Sequence, residues 1–156
     1  MKKLALGLLL LGLGTVAWRS MRKEAPDPTL LFDRFWVDHA PRDFREQYLA
    51  LFVNSQHAVG HFSIQTMWTG QWEGFHYHLL PRESGVLDVI FPNTNERKRV
   101  TYLARACNEN GFDYCLDVSG ASRGAQRYYS RKEWGRSAGE VTGAQLFPLV
   151  DGEHAR

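Results

Sequence analysis

The sequence predicts an all-β domain, a small antiparallel up-and-down β-barrel of about eight strands. Two observations carry that expectation. Between Leu30 and Trp134, runs of alternating bulky and polar residues recur, with turn residues roughly every 8–12 positions and no long run of helical periodicity. Two neighbouring pairs of these runs also read as hairpins. Antiparallel strands in sequence order favour closure into a barrel, which removes exposed edges; a two-sheet β-sandwich is the alternative.

The chain begins with a different kind of segment. Lys2 and Lys3 precede an apolar run from Leu4 to Trp18, with small residues at Thr15-Val16-Ala17. This is the layout of a signal peptide. As a helix the run reaches roughly 22 Å, short of a hydrocarbon core of about 30 Å. Arg19, Arg22 and Lys23 follow directly and support the alternative, an uncleaved membrane anchor. The expected organisation is a leader helix or anchor over residues 1–17, a linker over 18–29, the barrel domain over 30–134 and a loose tail over 135–156. Removing Lys2 and Lys3 from the 19 cations leaves as many cations as the 17 Asp and Glu residues. A neutral exported domain argues against a nucleic-acid partner, and it confines membrane contact to the N-terminal segment.

Leu30–Asp38 reads as the first strand, turned by His39-Ala40-Pro41-Arg42. Arg45–Val53 fits both a helix face and a strand face; Asn54-Ser55 behind it favours the strand. The stretch His57–Pro81 organises the rest. It reads as a hairpin about Thr69-Gly70 or Gly70-Gln71, with opposed residue numbers summing to 139 or 141. Phe62, Ile64, Thr66 and Trp68 then share the core face with Glu73, Phe75, Tyr77 and Leu79, and the histidines face outward. Val86–Phe91 is a short strand ended by Pro92. Lys98–Cys107 and Phe112–Ser119 form a second hairpin, and Gln126–Trp134 is the last strand.

Cys107 and Cys115 are the two cysteines of an exported chain, and a disulfide is expected between them. A three-residue loop Glu109-Asn110-Gly111 sets 105 opposite 115 and makes the cysteines diagonal neighbours on the outer face. A tight Asn110-Gly111 turn instead places them on opposite faces and forbids the bond.

Candidate chemistry is sparse. His76-x-His78 projects two imidazoles to one face roughly 7 Å apart, and the 139 register sets His61 opposite His78, so these three are the candidate metal ligands. The barrel interior is the second candidate. Trp36, Phe62, Trp68, Phe75, Tyr77, Tyr102 and Tyr114 offer apolar bodies, and the Trp and Tyr members add hydrogen-bonding tips that suit a mixed apolar and polar ligand; a small lipophilic molecule is the expected one. A core filled by the same side chains is the competing reading. Arg123, Arg127, Arg131, Lys132 and Arg136 interleave with Tyr128, Tyr129 and Trp134, a basic aromatic segment whose plainest role is a solvated strand face. The sequence holds no nucleophile elbow, zinc-protease helix or phosphate loop, so no catalytic residue and no cofactor is assigned. Glu73, on the inward face, is expected to pair with Arg127 or Arg131.

The order of signals resembles the lipocalin and wider calycin superfamily, in which a Gly-x-Trp lies on the first strand, an Asp-Tyr at a late turn, and an arginine of the last strand packs over the tryptophan. Here Trp36, Asp113-Tyr114 and Arg127 or Arg131 stand in those places; Arg34 replaces the glycine and Phe112 the family's threonine before Asp-Tyr. The resemblance implies an eight-stranded barrel holding a small apolar molecule. The expected function is therefore an exported periplasmic or secreted binding protein. A ligandless interaction domain with an envelope protein as partner is the alternative, and a metal-dependent enzyme the third.

Overall fold

The computed structural model describes residues 26–80 and 84–135. The leader, most of the linker and all but the first residue of the tail lie outside the described residues. Eight strands follow one another: β1 (Phe35–Val37), β2 (Tyr48–Asn54), β3 (Val59–Gln65), β4 (Gly70–Leu79), β5 (Val86–Phe91), β6 (Glu96–Glu109), β7 (Phe112–Ser119) and β8 (Arg127–Ser130). Each pairs antiparallel with the next, and β8 returns to β1 to form a closed barrel. Alternating strands bury only one face each, and closing the sheet turns all of those faces toward one axis. Trp36, Val53, Phe75, Tyr77, Leu87, Val89, Val100, Tyr102 and Leu116 meet there. The barrel holds; the sandwich alternative does not.

Strand direction defines two ends. The near end carries the entry to β1 and the loops after β2, β4 and β6. The far end carries residues 38–47, 66–69, 92–95 and 120–126. The expected first strand is cut short at the near end. Pro28–Leu31 form a single 3-10 turn capped by Asp27, whose Oδ1 accepts from Thr29 N at 2.9 Å and Thr29 Oγ1 at 2.7 Å. Asp33 then takes a positive φ of 52°, so extended pairing starts only at Phe35. Leu31, 2% exposed, enters the core from this turn.

The central hairpin also differs from expectation. Gln65 pairs with Gly70, and the loop is Thr66-Met67-Trp68-Thr69 rather than a two-residue turn at 69–71. Thr66 is the cause: its N–H donates to Thr69 O at 2.8 Å, and its hydroxyl accepts from Thr69 N at 3.1 Å. That side-chain turn leaves Gly70 free to join the ladder. Opposed residues still pair odd with even, so Phe62, Phe75 and Tyr77 remain inside. Trp68 does not: the loop lifts it out of the strand, and it is 78% exposed. Gly60 faces the Phe75 ring so closely that a Cβ there would lie 2.3 Å from Phe75 Cζ. Only glycine lets that ring lie flat against the strand.

In the second hairpin Arg105 pairs with Cys115, as expected, but by another route. The turn is the tight Asn110-Gly111 one, with φ of 54° and 78°. A register shift between Ala106 and Glu109 absorbs the offset that this turn introduces. Cys107 thus becomes a diagonal neighbour of Cys115, and the two form a disulfide with Cα atoms 5.7 Å apart. The last expected strand is split. β8 has four residues, and Lys132–Trp134 form a 3-10 turn that folds Trp134 onto the outside of the barrel with Val37, Tyr48, Ala50 and Phe112.

Reducing the disulfide releases a short loop in the unfolded chain and is expected to lower stability by roughly 2–3 kcal/mol. Urea unfolding with and without reductant checks this; an unchanged midpoint would mean that the bulge and turn hold the hairpin without the bond.

Candidate binding cavity and its mouth

Fourteen apolar or aromatic side chains leave a void of about 60 Å³ on the barrel axis, bordered also by Arg123. Its floor is Leu31. Its walls include Leu51 and Val53 of β2, Phe62, Phe75, the three inward residues Leu87, Val89 and Phe91 of β5, Val100, Tyr102 and Tyr128. Ala121, Arg123 and Ala125 close it at the far end. The two phenols in the wall are engaged: Tyr102 Oη donates to Pro28 O at 3.4 Å, and Tyr128 Oη accepts from Ala125 N at 2.7 Å. Burial pushes the Tyr128 phenol up to about 12, against the Ala125 N–H, which lowers it.

Residues 120–126 are held down as a lid. Val118 N donates to Gln126 O at 2.8 Å, and the Ala125 bond to Tyr128 draws the loop inward. Gly124, at φ 82°, approaches so closely that a Cβ there would lie 2.3 Å from Tyr128 Oη. Arg123 is the fastening. Its Nε lies 3.1 Å from Glu73 Oε2, Nη1 donates to Glu96 Oε2 at 2.8 Å, and Nη2 reaches Thr94 Oγ1 at 3.4 Å. Its guanidinium covers the Phe91 ring, 4.2 Å from the centroid. Glu73 therefore pairs with Arg123, not with Arg127 or Arg131. Arg127 binds Glu109 at 2.8 Å and lies 3.6 Å from Asp117.

Of the residues expected to line a ligand site, Phe62, Phe75 and Tyr102 do so. Trp36 and Tyr77 pack in the same core without bordering the void. Their polar tips are bound to backbone carbonyls, Trp36 Nε1 to Leu31 O at 3.1 Å and Tyr77 Oη to Asn54 O at 2.8 Å. Tyr114 lies at the near end under the Arg34 guanidinium, 4.2 Å from its ring centroid. Trp68 is removed by the loop described above. The alternation of Val86–Phe91 was a usable signal for the β5 wall. No local signal marks Arg123, because only the closed barrel brings its loop over the mouth.

The three histidines are not brought together. His61 opposes Gly74, because the register is four short of the one that sets it against His78. His76 lies between Val59 and Ile90, and His78 opposes Asp88. The His61 ring rests near Phe52, and burial holds its imidazole below the ordinary value of 6.5. Among the described residues, one group of ligand-type atoms lies within 4.8 Å, Cys107, Glu109 and Cys115, and both of its sulfurs are in the disulfide. Neither late arginine packs over Trp36 as the family pattern implies: Arg131 stacks on Phe112 and Trp134, and Arg127 on Tyr129. No described helix is long and apolar enough to cross a membrane.

The Glu96 carboxyl is held below the ordinary glutamate value of 4.5, first by a hydrogen bond from Ser122 and then by Arg123 and Lys98. Its folded value is the lower one, so its contribution is complete above about pH 4.5 and is lost as pH falls through that lowered value. Acidification toward pH 3 is expected to lower the amide protection factors of residues 120–126, measured against the intrinsic exchange rate at each pH, before it affects β6. A uniform loss of protection across the barrel would show that the lid has no separate acid response. Comparison with known proteins finds no matching family model, curated protein or solved structure.

Proposed function

We propose that this chain is an exported binding protein that holds one small lipophilic molecule inside its barrel. The observation that carries the reading is the apolar void running from Leu31 to Arg123, whose wall hydroxyls already have partners. Such a surface recognises shape and dispersion contact, not polar groups. Its volume of about 60 Å³ is well below the ~150 Å³ of an engineered cavity that accepts benzene. The ligand is therefore very small, or enters as the lid moves outward. A formed disulfide suits an oxidising compartment, in keeping with export.

Native mass spectrometry of the chain purified from an oxidising compartment is expected to show an added organic mass that leaves on denaturation. A bare polypeptide mass after gentle purification, with no mass gained on exposure to small apolar compounds, would sink the reading.

A second reading, a protein-interaction domain of the cell envelope, has its own support. Trp68 and Trp72, 78% and 76% exposed, stand at the far-end hairpin with Ile64 and Met67, and Phe44 is half exposed on the loop after β1. Large exposed apolar side chains gathered at one end of a domain are a feature of interaction sites. Trp68→Ser with Trp72→Ser is expected to change stability by about 0.5 kcal/mol or less, while lowering co-sedimentation with isolated envelope fragments several-fold. Unchanged co-sedimentation would count against this reading.

A further inference from the structure

We infer that the cavity takes an uncharged ligand and that Arg123 is a latch on the lid rather than a receptor for an anionic head group. This deepens the binding reading and rests on it. A lone arginine at the mouth of an apolar cavity ordinarily suggests a carboxylate ligand. Here all three guanidinium nitrogens are engaged, by Glu73, Glu96 and Thr94, and one face of the group lies on Phe91. Lys98, 3.5 Å from Glu96, completes a cluster of two cations and two carboxylates. An incoming anion would have to displace a carboxylate and then sit beside two of them, a like-charge arrangement that costs several kcal/mol. The ligand's route is also set by these contacts. Glu73 projects from β4, Glu96 from the start of β6 and Arg123 from the β7–β8 loop, so the ion pairs tie the lid to two walls of the mouth. A neutral ligand enters when those pairs open, and one larger than the void, such as toluene, holds the lid outward while bound.

Toluene and benzoate form a matched pair of probes, nearly equal in shape and different in charge. Binding is read from the methyl NMR signals of Leu51, Val89 and Val100 in the purified chain. Toluene is expected to shift these signals, with benzoate at least about tenfold weaker. Glu73→Gln with Glu96→Gln keeps the side-chain shapes while freeing the guanidinium. It is expected to raise the toluene exchange rate and to strengthen benzoate binding by about tenfold or more. Adding Arg123→Gln to that pair should abolish the benzoate gain and keep the fast toluene exchange. Melting curves establish that each variant is folded before it is scored. Tighter binding of benzoate than of toluene by the unaltered chain would make Arg123 an anion receptor and overturn the inference. An unchanged toluene exchange rate in the double variant would overturn the latch while leaving the binding reading intact. Silence of all three methyl signals toward both probes, in every folded form, would remove the binding reading and the latch with it.

Discussion

The barrel closes through a very short seam, and the rest of the structure depends on it. β1 and β8 share one ladder pair, Val37 with Tyr129, where the β6–β7 ladder runs for most of two long strands. One backbone rung is too little to hold a sheet edge against the twist that tends to splay it. Side chains supply what the ladder lacks. Ser130 Oγ donates to Phe35 O at 2.7 Å, Arg34 Nη1 donates to Arg131 O at 2.5 Å, and Arg34 bridges to Gly135 through its backbone. Outside the seam, Trp134 meets Phe35 and Phe112 edge-on, and Phe112 stacks on Tyr129 at 5.3 Å. This outer cluster acts as a second core, and its purpose is closure.

Closure explains features that look unrelated in the sequence. Arg34, at the entry to β1, spans the seam while covering Tyr114. The 3-10 turn at Lys132–Trp134 ends β8 early so that Trp134 can fold back over the joint. At the other end of the chain, the turn at Pro28–Leu31 closes the near end, with Asp27 N donating to Ala104 O at 2.9 Å and Phe32 packed against Tyr77 and Tyr102. These contacts pack the near end, and the far end is left to the Arg123 lid. The small void survives because its walls are aromatic rings and branched aliphatics already in contact with one another, as where Phe91 meets Phe62 and Phe75 edge-on.

Much of this was legible without coordinates. The alternation in Val59–Gln65, Gly70–Leu79 and Phe112–Ser119 identified strands and their inner faces, because a period of two leaves each side chain one of two directions. The disulfide followed from cysteine count and pairing geometry. Errors arose where a local hydrogen bond or an irregularity overrode the pattern. Thr66 moved the hairpin loop and took Trp68 from the core to the surface, and the shift between Ala106 and Glu109 let a tight turn coexist with the disulfide it was expected to forbid. The expected opposition of His61 and His78 is lost to a similar irregularity, a four-residue change of register.

By itself, then, the sequence determined that the described residues form an all-β domain, that its strands run in order, which face of most strands turns inward and which cysteines join. Those properties depend on neighbours one or two positions away, or on the pairing of adjacent strands. Tertiary structure alone decided the seam, the lid and the size of the void. Each joins residues from separate parts of the chain, Arg34 with Arg131, Arg123 with Glu73 and Glu96, Leu31 with Tyr128. A guanidinium carries no local mark of the carboxylate it will meet, because that meeting is set by the curvature of the closed sheet.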